Sequence, residues 1–190
     1  IPYISLASAI SITEPVCSWV FKTPLTDRMV CEKIYDEMKQ RGIRRIGMLS
    51  SSDGYGQSMQ KECRAQNAKF GIEWLADETY GPRDTDMTAQ VLKAKEAGAD
   101  VILTYAIGPE LAQIANAMAK LGWKVPMIGS WTLSMASFID TAGPNGDGAM
   151  MPQTFIEAPT TPKRKEFIEA YHKAYGGDRM PSPVSAAQGY

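Results

Sequence analysis

Ser50-Ser51-Ser52-Asp53 runs into Tyr55, Tyr105 is followed by Ile107 and Gly108, and Ser130 by Trp131 and Thr132. Each group follows a short apolar run. In open α/β sheets such strand ends are where ligands are held. A fourth group of small residues, Ser5, Ala7, Ser8 and Ala9, stands near the start of the chain. Turn chemistry accounts for serines and glycines at these places, but less readily for a large ring at three of them. Tyr55, Tyr105 and Trp131 are therefore expected to line a small-molecule cleft, with hydroxyl and amide donors around them.

Groups that would carry a reaction are missing. There is no GxGxxG, no GxxxxGK[ST] and no GxSxG. His172, the single histidine, falls on a lysine-rich helix pattern and reads as solvated rather than catalytic. Asp84 and Asp86 sit where a helix start favours carboxylates. Cys17, Cys31 and Cys63 fit no zinc spacing. Cys31 and Cys63 fall inside helix patterns and read as buried free thiols. The expectation is a protein without metal or cofactor that binds a ligand and releases it unchanged, and not an enzyme.

The elements that would position these residues follow from periodicity. Residues 26–41 form a helix with Met29, Val30, Ile34 and Met38 on one face, closed by Gly42. "RRIGML", "IEWLADETY", "DVILTY" and "VPMIGS" read as strands. Helices are expected over 55–70, from Thr85 or Asp86 to Gly98, and over 109–122 behind Pro109. A short helix near "LSMASFID", a strand near "GAMMPQTF" and a charged helix in "PKRKEFIEAYHKAYGG" follow. Strand starts near 44, 73, 100 and 126 recur at the length of one βα unit. The fold class is α/β: three αβα layers around a central parallel sheet.

A net charge of −1 removes the electrostatic footprint of nucleic-acid binding. No apolar run approaches the roughly 18 residues of a membrane span. The chain opens on "IPYISLAS" without an initiator Met and closes on "PVSAAQGY" within an apparent helix. It is expected to be a piece of a longer protein.

"PYISLASA", "WVFKTPLTD", "IGMLSSSDGYGQSM", "ETYGPRDTDMTAQVLKAKEAGADVIL", "GPELAQIANAMAKLGW" and "PMIGSW" stand in an order and spacing that cover essentially the whole chain. In these the chain resembles the branched-chain-amino-acid class of ABC-transporter substrate-binding proteins, the type I periplasmic binding proteins. The resemblance implies two α/β lobes joined by three crossings, with ligand between them. Residues 1–20 would be a remnant of lobe one and the first crossing, 21–155 lobe two, and 156–190 a final helix and the start of the return crossing. It implies a periplasmic or lipid-anchored extracytoplasmic location, and a permease and ATPase as partners. Exposed crossing segments are expected to pair with a second copy of the fragment.

Carried over residue by residue, the family's carboxylate-holding loop is Ala7-Ser8-Ala9, with Ser8 as hydroxyl donor, and the tyrosine that covers the ligand is Tyr55. Amino-acid-binding members place an acidic residue two positions after the glycine of the "xIG" strand, to pair with the ligand ammonium. Here Trp131 follows Gly129-Ser130. The resemblance with this departure points to an aromatic or aliphatic carboxylate. A receptor module of the same fold, or a binder of branched-chain amino acids or amides, stays open.

Overall fold

Side-chain caps and turn glycines bound several of the helices in the computed structural model, which describes residues 1–176, 185–187 and 190. Thr26 opens α1 (Asp27–Gln40) by accepting the Met29 N–H at 3.2 Å. Asp53 opens α2 (Gly54–Phe70) by accepting the Gly56 N–H at 2.9 Å. Such caps satisfy donors that a helix start leaves unpaired. Gly71, at φ 65°, closes α2 in the left-handed conformation that glycine adopts most readily.

The remaining elements are β1 (Tyr3–Ser5), β2 (Val20–Lys22), β3 (Arg45–Ser51), β4 (Glu73–Tyr80), α3 (Thr88–Glu96), β5 (Val101–Tyr105), α4 (Glu110–Lys120), β6 (Met127–Gly129), α5 (Ala136–Ala142) and α6 (Pro162–Tyr175). Strands β3 to β6 form one parallel sheet in the order β4-β3-β5-β6, while β1 and β2 form a separate parallel pair. The chain divides into two compact units, Ile1–Pro152 and Gln153–Tyr190. In the second, Thr161 caps α6 and Phe155, Phe167 and Tyr190 meet edge to face. His172 there pairs with Glu157.

The sheet buries both faces. Ile46, Met48, Val101 and Leu103 pack under α1 and α2. Leu49 and Ile102 pack against Val91, Ala94, Leu111 and Ile114 of α3 and α4. Each such side chain stabilises by about 1.5–3 kcal/mol. Gly47 lets α3 lie directly on β3, since a Cβ there would fall 2.5 Å from Ala94 Cβ. At the open edge, β4 carries Asp77 and Glu78, paired with Arg64 and Lys93.

Several sequence expectations need correction. Met29 is exposed, and the buried face of α1 is Val30, Cys31, Ile34, Tyr35 and Met38. Cys31 and Cys63 are buried as expected but are not free thiols. They are joined as a disulfide between α1 and α2, with 5.4 Å between their Cα atoms. Helix α3 begins at Thr88, later than read, with the Thr88 N–H donating to Asp86 Oδ1 at 2.8 Å. Bonding to Thr88 holds the Asp86 carboxyl below its ordinary range. The strand read near 148–155 is reduced to one bridge, Ile128 with Met150. Pro152 has no N–H with which to continue the ladder. Of the closing "PVSAAQGY", residues 185–187 are helical, and the rest of that expectation falls largely outside the described residues. Among the described residues no helix is long and apolar enough to cross a membrane.

Candidate functional site

The turn after β3 is built by close approach. A Cβ on Gly56 would lie 2.0 Å from the Ser51 carbonyl oxygen, so only glycine lets the first turn of α2 sit on the strand end. Gly54 meets nothing within 4 Å. Between them the Tyr55 side chain projects from the first turn of α2 and donates its hydroxyl to Ser130 Oγ at 2.8 Å. Ser130 Oγ lies 2.9 Å from Thr132 Oγ1. Because β5 lies between β3 and β6, this bond spans the sheet's carboxyl edge.

Trp131 opens the 3-10 turn Trp131–Ser134 and is half-buried, directly after the serine that Tyr55 holds. Tyr55 is thus tied to the residue that precedes Trp131. Tyr105 is not brought there. It shares the parity of Val101 and Leu103, is fully buried, and sets its hydroxyl 3.5 Å from Cys63 Sγ beneath α2. It is core, and its ring lines no open surface. Ile107 stands exposed beyond it. Gly108 packs on the Glu110 carboxylate, whose Oε2 would lie 2.0 Å from an added Cβ. Burial raises the Tyr55, Tyr80 and Tyr105 hydroxyls above the ordinary phenol value, against opposing bonds from Ser130 and Thr104 to the first two. All three are protonated donors at neutral pH.

Ala7, Ser8 and Ala9 follow β1. Ala7 is exposed, and Ser8 and Ala9 are half-buried. The Ala7 N–H donates to Ser5 Oγ at 3.2 Å, and Lys22 Nζ donates to the carbonyls of Ser8 (3.0 Å) and Ala9 (3.2 Å). The Asp27 N–H also donates to the Ser8 carbonyl at 3.2 Å, which ties this loop to the start of α1.

Sequence reasoning passed over three residues here. Asp27 is fully buried and accepts from Ser58 Oγ. Glu110, also buried, accepts the Arg83 N–H at 2.7 Å, while its Oε2 has no partner among the described residues. Arg83 has φ 78°, in the left-handed region, and the Glu110 bond helps hold it there. A carboxylate in the first helical turn looks in sequence like dipole compensation, so nothing marked Asp27 or Glu110. Lys22 lies in "WVFKTPLTD", a stretch that carries the resemblance but gives no sign of which loop its side chain reaches.

Among the described residues no group of three acids, histidines or cysteines could hold a metal. The edge offers hydroxyls, backbone N–H groups and rings, and can bind by hydrogen bonds and ring contacts. A groove of about 720 Å³ at the opposite edge, beside Trp123 and Pro126, contains none of the residues singled out from sequence.

Comparison with known proteins gives a consistent pattern. A family model described as periplasmic binding protein matches residues 1–190. A Leu/Ile/Val-binding protein homologue of Brucella abortus is 27% identical over 195 residues, covering 93% of this chain and 48% of its own length. A second Leu/Ile/Val-binding protein homologue, from Brucella melitensis, is 24% identical over 152 residues, covering 80% of this chain and 41% of itself. A type 1 periplasmic binding protein of Bordetella pertussis superposes with a TM-score of 0.87 at 25% identity, over 98% of this chain and 54% of that one. A leucine-binding protein of Thermotoga maritima shares the fold, with a TM-score of 0.85 at 18% identity, over 100% of this chain and 55% of that one. The chain spans about half the length of these relatives.

Proposed function

Because the chain belongs to the periplasmic binding protein family, we propose that it supplies most of one lobe of an extracytoplasmic solute-binding component of an ABC importer. Residues 21–155 would be that lobe, and residues 1–20 and 156–190 would belong to the crossings and the other lobe. A permease and an ATPase are its partners. Its place is the periplasm or, with a lipid anchor, the outer face of the membrane. The buried Cys31–Cys63 disulfide supports this location, since such bonds persist in oxidising compartments.

The ligand is a small carboxylate, held by the Ala7-Ser8-Ala9 loop at one end and by Tyr55 and Trp131 at the other. Trp131 carries this reading. An ammonium buried against an indole without a counter-charge loses several kcal/mol, and cation–π attraction returns only about 0.5–2 kcal/mol. An aromatic acid uses both rings, with about 0.5–1.5 kcal/mol beyond its buried area. Calorimetry on the full-length protein tests this. Benzoate should bind more tightly than leucine, Trp131→Glu should reverse the order, and Tyr55→Ala should weaken both. Leucine binding more tightly than benzoate to the wild type would sink the reading.

A branched-chain amino acid ligand is the second reading, favoured by the names of the Brucella relatives. It needs a carboxylate other than residue 131 to meet the ammonium. The same titration separates the two.

A further inference from the structure

Lys22 reaches from β2 to the loop that follows β1, and it does so without an acidic partner. Its Nζ donates to the Ser8 and Ala9 carbonyls at 3.0 and 3.2 Å, and it forms no ion pair with any described residue. Each carbonyl has a second donor, the Asp27 N–H on Ser8 and the Ile12 N–H on Ala9, at 3.2 and 3.3 Å. Both peptide planes are therefore fixed. In a trans peptide the N–H points opposite its carbonyl, so the Ala9 and Ile10 N–H groups are turned away from Lys22. Neither donates to a described residue.

We propose that Lys22 is a positioning residue for the carboxylate end of the ligand. Its ammonium holds two consecutive peptides so that their N–H groups face the anion, and it places a positive charge behind them. This rests on the reading that the Ala7-Ser8-Ala9 loop takes a carboxylate. Lys22 does not touch the ligand, because the peptides stand between them. Its charge acts through the polarised amides and through space, where an effective dielectric near 20 still leaves an appreciable attraction. A neutral amide in the same place would feel little of it. Lys22 thus sets a preference for acids over their amides, separate from whatever the rings at the other end select.

Full-length wild type, Lys22→Met and Lys22→Arg are compared by calorimetry with two acid–amide pairs, benzoate with benzamide and leucine with leucinamide. For the acid that the wild type binds, Lys22→Met should weaken affinity about tenfold while the matching amide changes by less than about twofold. Lys22→Arg should bring the acid back to within about twofold of wild type. Where Lys22→Met does not fold, Lys22→Gln is used, with the same acid-specific loss expected. Equal losses for acid and amide, or no loss, would overturn the proposal. A wild type that prefers leucine to benzoate overturns the aromatic-acid reading alone and leaves the leucine pair to decide Lys22. A wild type that binds neither acid overturns the carboxylate loop, and the role of Lys22 with it.

Discussion

In the four-stranded body the large apolar side chains lie inside: Ile46, Met48, Leu103 and Ile114 are fully enclosed. In residues 1–22 most of them lie outside. Tyr3, Ile4, Leu6, Trp19 and Phe21 are each more than half exposed. The body is held by burial and by one covalent tie between α1 and α2. The segment before it is held by its own short parallel ladder and by polar bonds around Ser8, from Lys22 and Asp27. One region draws its stability from apolar area. The other is placed by a few directional bonds, and its apolar surface contributes almost nothing to this chain's own stability.

The strongest challenge to that contrast is to cut the covalent tie. Cys31→Ser with Cys63→Ser frees a loop of 32 residues and should lower unfolding stability by about 3–4 kcal/mol. The midpoint in scanning calorimetry should fall by about 10 °C, and reductant should bring the wild type to the same midpoint. An unchanged midpoint would mean that packing alone holds α1 to α2. Next is the strand-to-helix turn. Gly56→Ala should cost about 2–3 kcal/mol in urea unfolding, because its Cβ meets the Ser51 backbone. Gly54→Ala, in open space, should be neutral or stabilise by up to about 1 kcal/mol. Equal effects at the two glycines would mean that α2 shifts without cost. The smallest effect belongs to the exposed segment, where Trp19→Ser should stay within about 0.5 kcal/mol. A larger loss would show that Trp19 is packed in solution and that the two regions are less different than described.

How much of this could be read from sequence depends on the kind of signal. The βα alternation was legible because helices and strands impose different periods, and the caps at Thr26 and Asp53 lie where local chemistry puts them. Tyr105 was misread because every residue of "DVILTY" after the first is apolar or small. Such a run gives no alternation to say which end residue turns inward. Met29 and Val30 are adjacent, and only the packing of α1 decides which faces the sheet. The Cys31–Cys63 pairing needs two helices to be set side by side, which spacing in the chain does not encode. Lys22 and Glu110 matter through backbone atoms of distant loops, and a backbone atom carries no sequence signature.

The disulfide lies on one face of the sheet only. Helices α1 and α2 are linked to each other, whereas α3 and α4 lie on the opposite face with no such link. Fluctuations short of global unfolding will therefore be lopsided. Amide protons should exchange first along α3 and α4, while those beneath α1 and α2 persist. A partly opened molecule behaves like a book hinged along its cross-linked cover: the loosened leaf is the one carrying Arg83 and Glu110, and the retained leaf keeps Tyr55 attached to β3.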